Sequence, residues 1–501
     1  MLFRSEAPIT IDNSVPTEYW DLSLEEAIQS SLQHSRVLRD LGGLVLQSPD
    51  NVRTVHDPSI QETDPRFGVN AALSAFDASL ESSFFFEKND RALNNVFFGG
   101  GTRILLQDLH SYQTAISKRS ATGGDFTIRK VIDYDHNNSP GNDDPNRPWT
   151  IQLEGEFRQP LMQGAGVDFN RIAGPGGTPG SINGVLIARI NTDISLTDFE
   201  SSVRNMVNDV ENAYWELHFA YRDLDAKIAA RDRALATWRK INSWFVTNRR
   251  GGELEKEAQA REQYFRLEED VQNALTGRAA DRFRTNTFRG AGGVHQAERR
   301  LRLLMGVKMN DGRLIRPSQE PLMAKIVFNW DDILVESLTR RVEIRRQKWQ
   351  IKSRELELRA TRNFLLPRVD AVGRYRWRGL GHNLSNASRQ TDRFDNAVQD
   401  LTTGDFQEWQ FGVEVSLPIG FRKAQAAVRN AELKLARAHA ILEQQERDVV
   451  HDLTAAYAEL ERAYATSQTS YNRRQAAHDR LRALDNKYKD ADEREQIGRA
   501  Q

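Results

Sequence analysis

Two stretches of this chain keep apolar residues at heptad spacing for much longer than a compact domain accommodates. From about Ser195 to Arg249, positions Val203, Val207, Val210, Tyr214, Leu217, Tyr221, Leu224 and Ile228 advance by alternating fours and threes. That is a coiled-coil seam, narrower than the apolar face of an ordinary surface helix. About 55 residues at a 1.5 Å rise give roughly 80 Å of helix. A second run starts at Phe421 and carries Val428, Leu435, Leu442, Val449, Leu453, Leu460, Tyr464 and Tyr471. By the same rise it reaches roughly 100 Å. Within these runs AYWELHFAY (213–221) and AYAELERAY (456–464) present one stripe twice, Ala-Tyr-x-x-Leu-x-x-x-Tyr.

The elements leading into each long helix also recur. YWDLSLEEAI (19–28) and NWDDILVESL (329–338) both set Trp-Asp ahead of a short amphipathic helix. In the first, Ser23 and Glu26 have the spacing of a capping box. Strand-like alternation follows from about residue 67. In WTIQLEGEFRQPL, Trp149, Ile151, Leu153, Phe157 and Leu161 alternate with polar residues until Pro160 ends the pairing. PRVDAVGRYRWRG sets Val369, Ala371, Gly373, Tyr375 and Trp377 against Arg368, Asp370, Arg374 and Arg376. WQFGVEVSLPIG places Trp409, Phe411, Val413, Val415 and Leu417 on one face and closes at Pro418.

The chain therefore reads as an internal duplication. Residues 1–320 form a first repeat with a short helix, a strand pair at about 67–161 and a long helical hairpin at 195–305, whose tip is NRRGGELEKE. Residues 321–501 form a second, with strands at about 366–378 and 409–418 and a long helix at 421–488. FTIRKVIDY (126–134) alternates more loosely and reads as an extra hairpin.

Composition narrows the function classes. Hydrophobic residues make up 39% and charged residues 28%, and mean hydropathy is -0.62, a polar balance that suits long solvated elements better than a thick core. A net charge of -1 argues against nucleic acid as a partner. The chain has no cysteine, so disulfides and thiolate chemistry are excluded, and an oxidising compartment is accommodated. No apolar run reaches the length of a transmembrane helix, a test that a membrane β-barrel passes unseen. Residues 1–20 contain no apolar h-region, so no signal peptide is expected in this chain.

A strand with one apolar face ordinarily belongs to a soluble sheet with a single core. Here the neighbouring helices spend their apolar residues on their own seams, which leaves no lid for four such strands. Lipid is the simplest cover, with Trp149, Tyr375, Trp377 and Trp409 read as girdle residues near strand ends. Ile151, Leu153, Phe157, Phe411, Val413 and Val415 then face lipid. Four strands do not close a membrane barrel, so several chains share one.

The order LSLEEAIQSSL, RQPLMQG, VENAYWEL, the first-hairpin tip, VSLPIGF and LTAAYAEL resembles the TolC-like outer-membrane efflux proteins (outer membrane factors) over nearly the whole chain. The resemblance implies a mainly α protein with a β-barrel part. Long coiled-coil helices form a periplasmic α-barrel, and four membrane strands per protomer close only in a homotrimer. It implies an outer-membrane channel of a tripartite efflux or type I secretion system. Its partners are then a periplasmic adaptor (membrane fusion protein), an inner-membrane pump and outer-membrane lipid, with no cofactor, no metal and no enzymatic activity. By this comparison the final returning helix of the second repeat is absent and the chain looks truncated.

Position in the family assigns Asp490 and Asp492 to a gate at the second tip, against the alternative of a solvated turn. Arg249, Arg250, Gly251 and Gly252 at the first tip become adaptor-contact candidates, against a plain helix-terminal charge role. Tyr214, Leu217, Tyr221, Tyr457, Leu460 and Tyr464 read as helix-seam packing, and Glu154, Arg374 and Arg376 as facing a lumen. The competing function is a coiled-coil adaptor or scaffold without channel activity. No HExxH, Walker or CxxC pattern supports an enzyme.

Overall fold

A computed structural model describes residues 18–34, 36–37, 53–94, 103–140, 147–279, 290–386 and 394–500, with single positions 10 and 142; side chains at 279, 290–291 and 488–500 lie outside the description. The first half runs β1 (Glu18–Leu22), α1 (Leu24–His34), α2 (Asp57–Thr63), α3 (Val69–Ser74), β2 (Ala78–Ala92), β3 (Ile104–Arg119), β4 (Asp125–Asn137), β5 (Trp149–Pro160) and α4 (Val167–Ala173). It continues with α5 (Val185–Val246), α6 (Leu254–Thr276), β6 (Arg278–Ala279), β7 (Gly290–Ala291), α7 (Val294–Met305) and β8 (Arg313–Pro317). The remainder is α8 (Trp330–Arg340), α9 (Val342–Asn363), β9 (Arg368–Gly381), α10 (Ala397–Thr403), β10 (Phe406–Ser416) and α11 (Arg422–Ala500). The chain divides into two interleaved units, one of Met1–Asp57, Thr197–Ile344 and Gln445–Gln501, the other of Pro58–Leu196 and Arg345–Gln444.

In the first unit, β1 and β8 pair in parallel, from Glu18 against Arg313 to Leu22 against Pro317. The capping box forms as the sequence predicts: Glu26 N–H donates to Ser23 Oγ at 3.2 Å and Ser23 N–H to Glu26 Oε2 at 3.1 Å. The stripe Val210, Ala213, Tyr214 and Leu217 of α5 packs with Leu22, Ala27, Leu301, Leu304, Met305 and Ile315 into one apolar core. Beside that core Arg302 is wholly buried, donating from Nε to Glu298 at 2.6 Å and from Nη2 to Asp311 at 2.8 Å. Burial pushes the Glu298 carboxyl above its ordinary range, with Arg302 pulling the other way. Burial also pushes Asp311 up, but Arg313 and Arg302 overcome it and hold that carboxyl low. His295, on the first turn of α7, is buried, and burial with Arg299 nearby lowers its pKa.

The second unit holds a six-stranded antiparallel sheet in the order β10-β9-β5-β4-β3-β2. The strand count departs from the sequence reading. The segment expected to give one strand pair at about 67–161 opens with two short helices, α2 and α3, and then forms four strands. The FTIRKVIDY hairpin is β4, an integral member of the sheet. Strands β9 and β10 fall within three residues of their expected bounds. At the sheet's helical end, Phe169, Ile172, Ala173, Ile187, Ala360, Phe364 and Ala424 make a second core. Asn170 Nδ2–H bonds to the carbonyls of Gly164 and Gly166 at 2.9 Å each, and Gly164 N–H donates to Asn363 Oδ1 at 2.8 Å, which fixes the strand-to-helix turn. The reversal between α5 and α6 occupies 247–253, with Asn248 at φ 49° and Gly251 at φ 101°.

Candidate functional site

Because strand side chains alternate, the register sorts the sheet into two faces. On one, Leu80, Ile116, Ile128, Gly155, Tyr375 and Trp409 form an unbroken row across all six strands. Leu80, Ile116, Ile128 and Trp409 are exposed, the last at 76%. Phe411, Val413 and Val415 extend this face along β10, all exposed, and Leu153 and Phe157 carry it on β5, whereas Ile151, expected to face lipid, is buried beside Gly379 where α10 covers the sheet. A second row joins Phe86, His110, Tyr134 and Trp149 in direct register. Their rings touch in sequence, with centroids 4.8, 5.2 and 4.9 Å apart, within the range for favourable aromatic pairs.

The opposite face is ionic. One row reads Glu81, Ala115, Arg129, Glu154, Arg376 and Glu408, charges of alternating sign wherever charges stand next to each other. Glu154 is buried beneath three guanidinium groups. Arg129 Nη1 lies 2.8 Å from it, Arg374 Nε 3.7 Å, and Arg376 Nε makes a short contact. Arg374 also reaches Glu156 at 3.2 Å, and Arg378 reaches Glu408 at 3.0 Å. One step along, Arg158 bridges Asp370 at 3.1 Å and Glu414 at 2.6 Å. Buried charges persist only when paired, and here each acid is shared between strands. Arg374, Arg376 and Glu154, picked out from the sequence, thus come together in one network. Its Arg129, Glu408 and Arg158 members were not picked out, although the alternation in FTIRKVIDY and WTIQLEGEFRQPL put Arg129 and Arg158 on the polar side, and Glu408 directly precedes the apolar Trp409.

The sequence-predicted girdle residues divide. Trp149 opens β5 and stands in the aromatic row. Tyr375 and Trp377 sit mid-strand in β9, with rings 4.5 Å apart, and Trp409 is the fourth residue of β10. This corrects their placing at strand ends: β9 continues to Gly381 because Gly379 and Gly381 let α10 lie directly on the strand, where any Cβ would overlap the backbone of Asn396 and Ala397.

The helix stripes also differ. Tyr214 and Leu217 are fully buried. Tyr214 Oη–H donates to the carbonyl of Leu22, and Tyr221 Oη–H to that of Ile315. Tyr457, Leu460 and Tyr464 instead line an open groove with Leu322, Lys325 and Val327, and Lys325 Nζ lies 5.9 Å from the Tyr464 ring centre. Among the tip residues, Arg249 and Arg250 are exposed, while Gly252 is packed under the backbone of Trp244 and Phe245. The side chains of Asp490 and Asp492 lie outside the described residues. Their backbone belongs to α11, which runs to Ala500 where a tip turn had been expected.

Among the described residues no helix is long and apolar enough to cross a membrane, and no group of His, Asp and Glu is arranged to hold a metal ion. No curated protein matches the chain. A membrane protein from Pseudomonas aeruginosa is similar in structure at 14% identity, covering 91% of this chain and 80% of its own, with a TM-score of 0.51, and shares the fold. The outer membrane protein VceC from Vibrio cholerae matches at 12% identity over 87% of this chain and 78% of its own, with a TM-score of 0.49. The open-state MtrE outer membrane channel from Neisseria gonorrhoeae matches at 12% identity over 91% and 81%, with a TM-score of 0.47. Residues 333–500 match the model of the outer membrane efflux protein family, and over that span the chain is similar to it.

Proposed function

We propose that the chain is a subunit of a passive outer-membrane export duct. The observation that carries this reading is the two-faced sheet. Its exposed apolar rows suit hydrocarbon, and its ionic rows suit a water-filled passage. A soluble protein rarely leaves so continuous an apolar face uncovered, and an open strand edge is not tolerated in lipid, so copies of the chain close the barrel together. Family resemblance supplies the number three, the α-helical tunnel in the periplasm, and the adaptor and inner-membrane pump as partners. In this reading residues 1–320 and 321–501 are two repeats that each contribute wall strands and long helix. Arg249 and Arg250 are exposed where an adaptor would meet the first tip, and Asp490 and Asp492 are the proposed gate.

The test is reconstitution in planar bilayers. Discrete conductance steps, together with a requirement for detergent or lipid during purification, are expected. A protein that stays monodisperse without detergent and conducts nothing would instead be a coiled-coil scaffold.

A further inference from the structure

We infer that a cleft at the helical end of the sheet is a binding site for a zwitterionic aminophospholipid, whose headgroup joins a phosphate to a primary ammonium. This rests on the export-duct reading, which sets the sheet in a membrane, and adds to it a lipid ligand and the residues that hold it.

The cleft has a volume of about 750 Å³, within the roughly 300–1,000 Å³ of small-molecule sites. It is enclosed by α2, α3, the β3–β4 turn, α4 and the start of α5. Val69, Leu73, Phe76 and Val185 form its apolar wall, with Leu73 left 47% exposed. Its charges come from three helices: Glu62 from α2, Arg171 from α4, and Arg189 and Asp193 from α5. Two cations and two acids in one cleft would ordinarily neutralise each other. Arg189 and Asp193 even stand one helical turn apart, the spacing of helical ion pairs. Yet among the described residues none of these four side chains makes an ion pair or a hydrogen bond.

The ligand that satisfies this set carries one anion, one hydrogen-bonding cation and an apolar body. The guanidinium forks of Arg171 and Arg189 match phosphate oxygens, and the carboxylates of Glu62 and Asp193 accept from ammonium N–H groups. Beside them the apolar wall takes the glycerol end of the acyl chains. A phosphocholine head offers no N–H to the two acids, and a phosphoglycerol head offers no cation. A free phosphate would leave both acids and the apolar wall unused. The position of the cleft agrees with this chemistry. Ala121 lies in the turn joining β3 to β4, and α4 follows β5, so the cleft sits where sheet gives way to helix. With the apolar rows in hydrocarbon, that end of the sheet stands at the headgroup level of one leaflet, where charged pockets take lipid headgroups.

The test is lipid retention by the full chain. Delipidated protein in detergent is titrated with dioleoyl phosphatidylethanolamine, phosphatidylcholine and phosphatidylglycerol, and bound lipid is counted by native mass spectrometry. Phosphatidylethanolamine is expected to bind roughly tenfold more tightly than either of the others, the worth of one charge-assisted hydrogen bond. Arg171→Gln with Arg189→Gln should weaken all three lipids. Glu62→Gln with Asp193→Asn should erase the preference over phosphatidylglycerol while binding persists. None of the four side chains supports another group, so both double variants are expected to fold. Equal binding of the three lipids would overturn the inference, as would phosphatidylethanolamine binding that neither double variant changes. Competition by glycerophosphoethanolamine, which lacks acyl chains, as strong as that by the lipid would overturn it too. Bilayer conductance of the same preparation separates the two readings. A conducting protein without the lipid preference loses the site and keeps the duct, and a non-conducting one that shows the preference loses the duct and keeps the site.

Discussion

Tyr214 and Leu22 stand 192 positions apart in the sequence, yet both are fully buried, and the tyrosine hydroxyl donates to the leucine carbonyl at 3.0 Å. The same oxygen accepts the Gln319 N–H at 3.2 Å. One phenol thus ties the long helix α5 to the end of β1 and to the segment leaving β8. Tyr214→Phe is expected to cost about 1–3 kcal/mol, since it removes both bonds and takes the acceptor from the Gln319 N–H, while the Leu22 carbonyl keeps the Ser318 N–H and Oγ–H. Tyr221→Phe, at a partly exposed site with a single 2.9 Å bond to Ile315, should cost about 1 kcal/mol. Urea unfolding in detergent would show the order, and equal costs would contradict it.

The reversal between α5 and α6 depends on two glycines for different reasons. Gly251 has φ 101° with room around it, so Gly251→Ala meets backbone strain of about 1 kcal/mol. At Gly252 a Cβ would overlap the main chain of Trp244 and Phe245, and Gly252→Ala should cost about 1–3 kcal/mol as the turn is forced open. Limited proteolysis across 247–253 would be faster in both, and fastest in the Gly252 variant.

His295 gives the first unit an acid sensitivity. Its folded pKa lies below the ordinary value of 6.5 because burial, with Arg299, disfavours the cation. The unfolded chain therefore binds a proton that the folded chain refuses. The stability this group contributes is present above about pH 6.5 and is lost as pH falls through the folded pKa, by at most about 1.4 kcal/mol per pH unit. His295→Leu should flatten denaturation midpoints measured between pH 7 and 5, and an unchanged slope would assign the loss to other groups.

On the ionic face, Glu154→Gln leaves Arg129, Arg374 and Arg376 around a neutral side chain. If that face lines the passage, reversal potentials in a salt gradient should move toward anions. The loss of the shared acid should also weaken the sheet by about 3–5 kcal/mol, as removing one partner of a buried ion network does. Heating in SDS before electrophoresis would report the second effect. No change in reversal potential would place the face away from permeating ions.

Alternation made β5, β9 and β10 readable because Trp149 to Phe157, Val369 to Trp377 and Trp409 to Leu417 keep their apolar side clean. It failed on β2 and β3 for a physical reason. Ser82, Thr114 and His110 stand on the apolar face, and Phe84, Phe85 and Phe86 are consecutive, so no period of two emerges although the register is regular. The ion network was half legible, since charges on the polar side were evident while the cross-strand partners followed only from pairing. The buried Arg302, Glu298 and His295 gave no signal at all: LRLLM and VHQAE look like solvated helix until β8 covers them. The two long helices were legible in outline, although α5 begins ten residues before the expected Ser195 and α11 runs on to Ala500, while α9 and the short α2, α3, α4 and α10 were not read from the sequence.

The parallel pairing of β1 with β8 sets the order in which this molecule is able to fold. Asp21 and Arg316, joined across that pair at 2.6 Å, are 295 residues apart, so the earliest strand has no partner until most of the chain has been delivered. Contacts of such high sequence separation close slowly. Until then Trp20 and Leu22 wait without their core, a stretch in which a holdase would find its binding site.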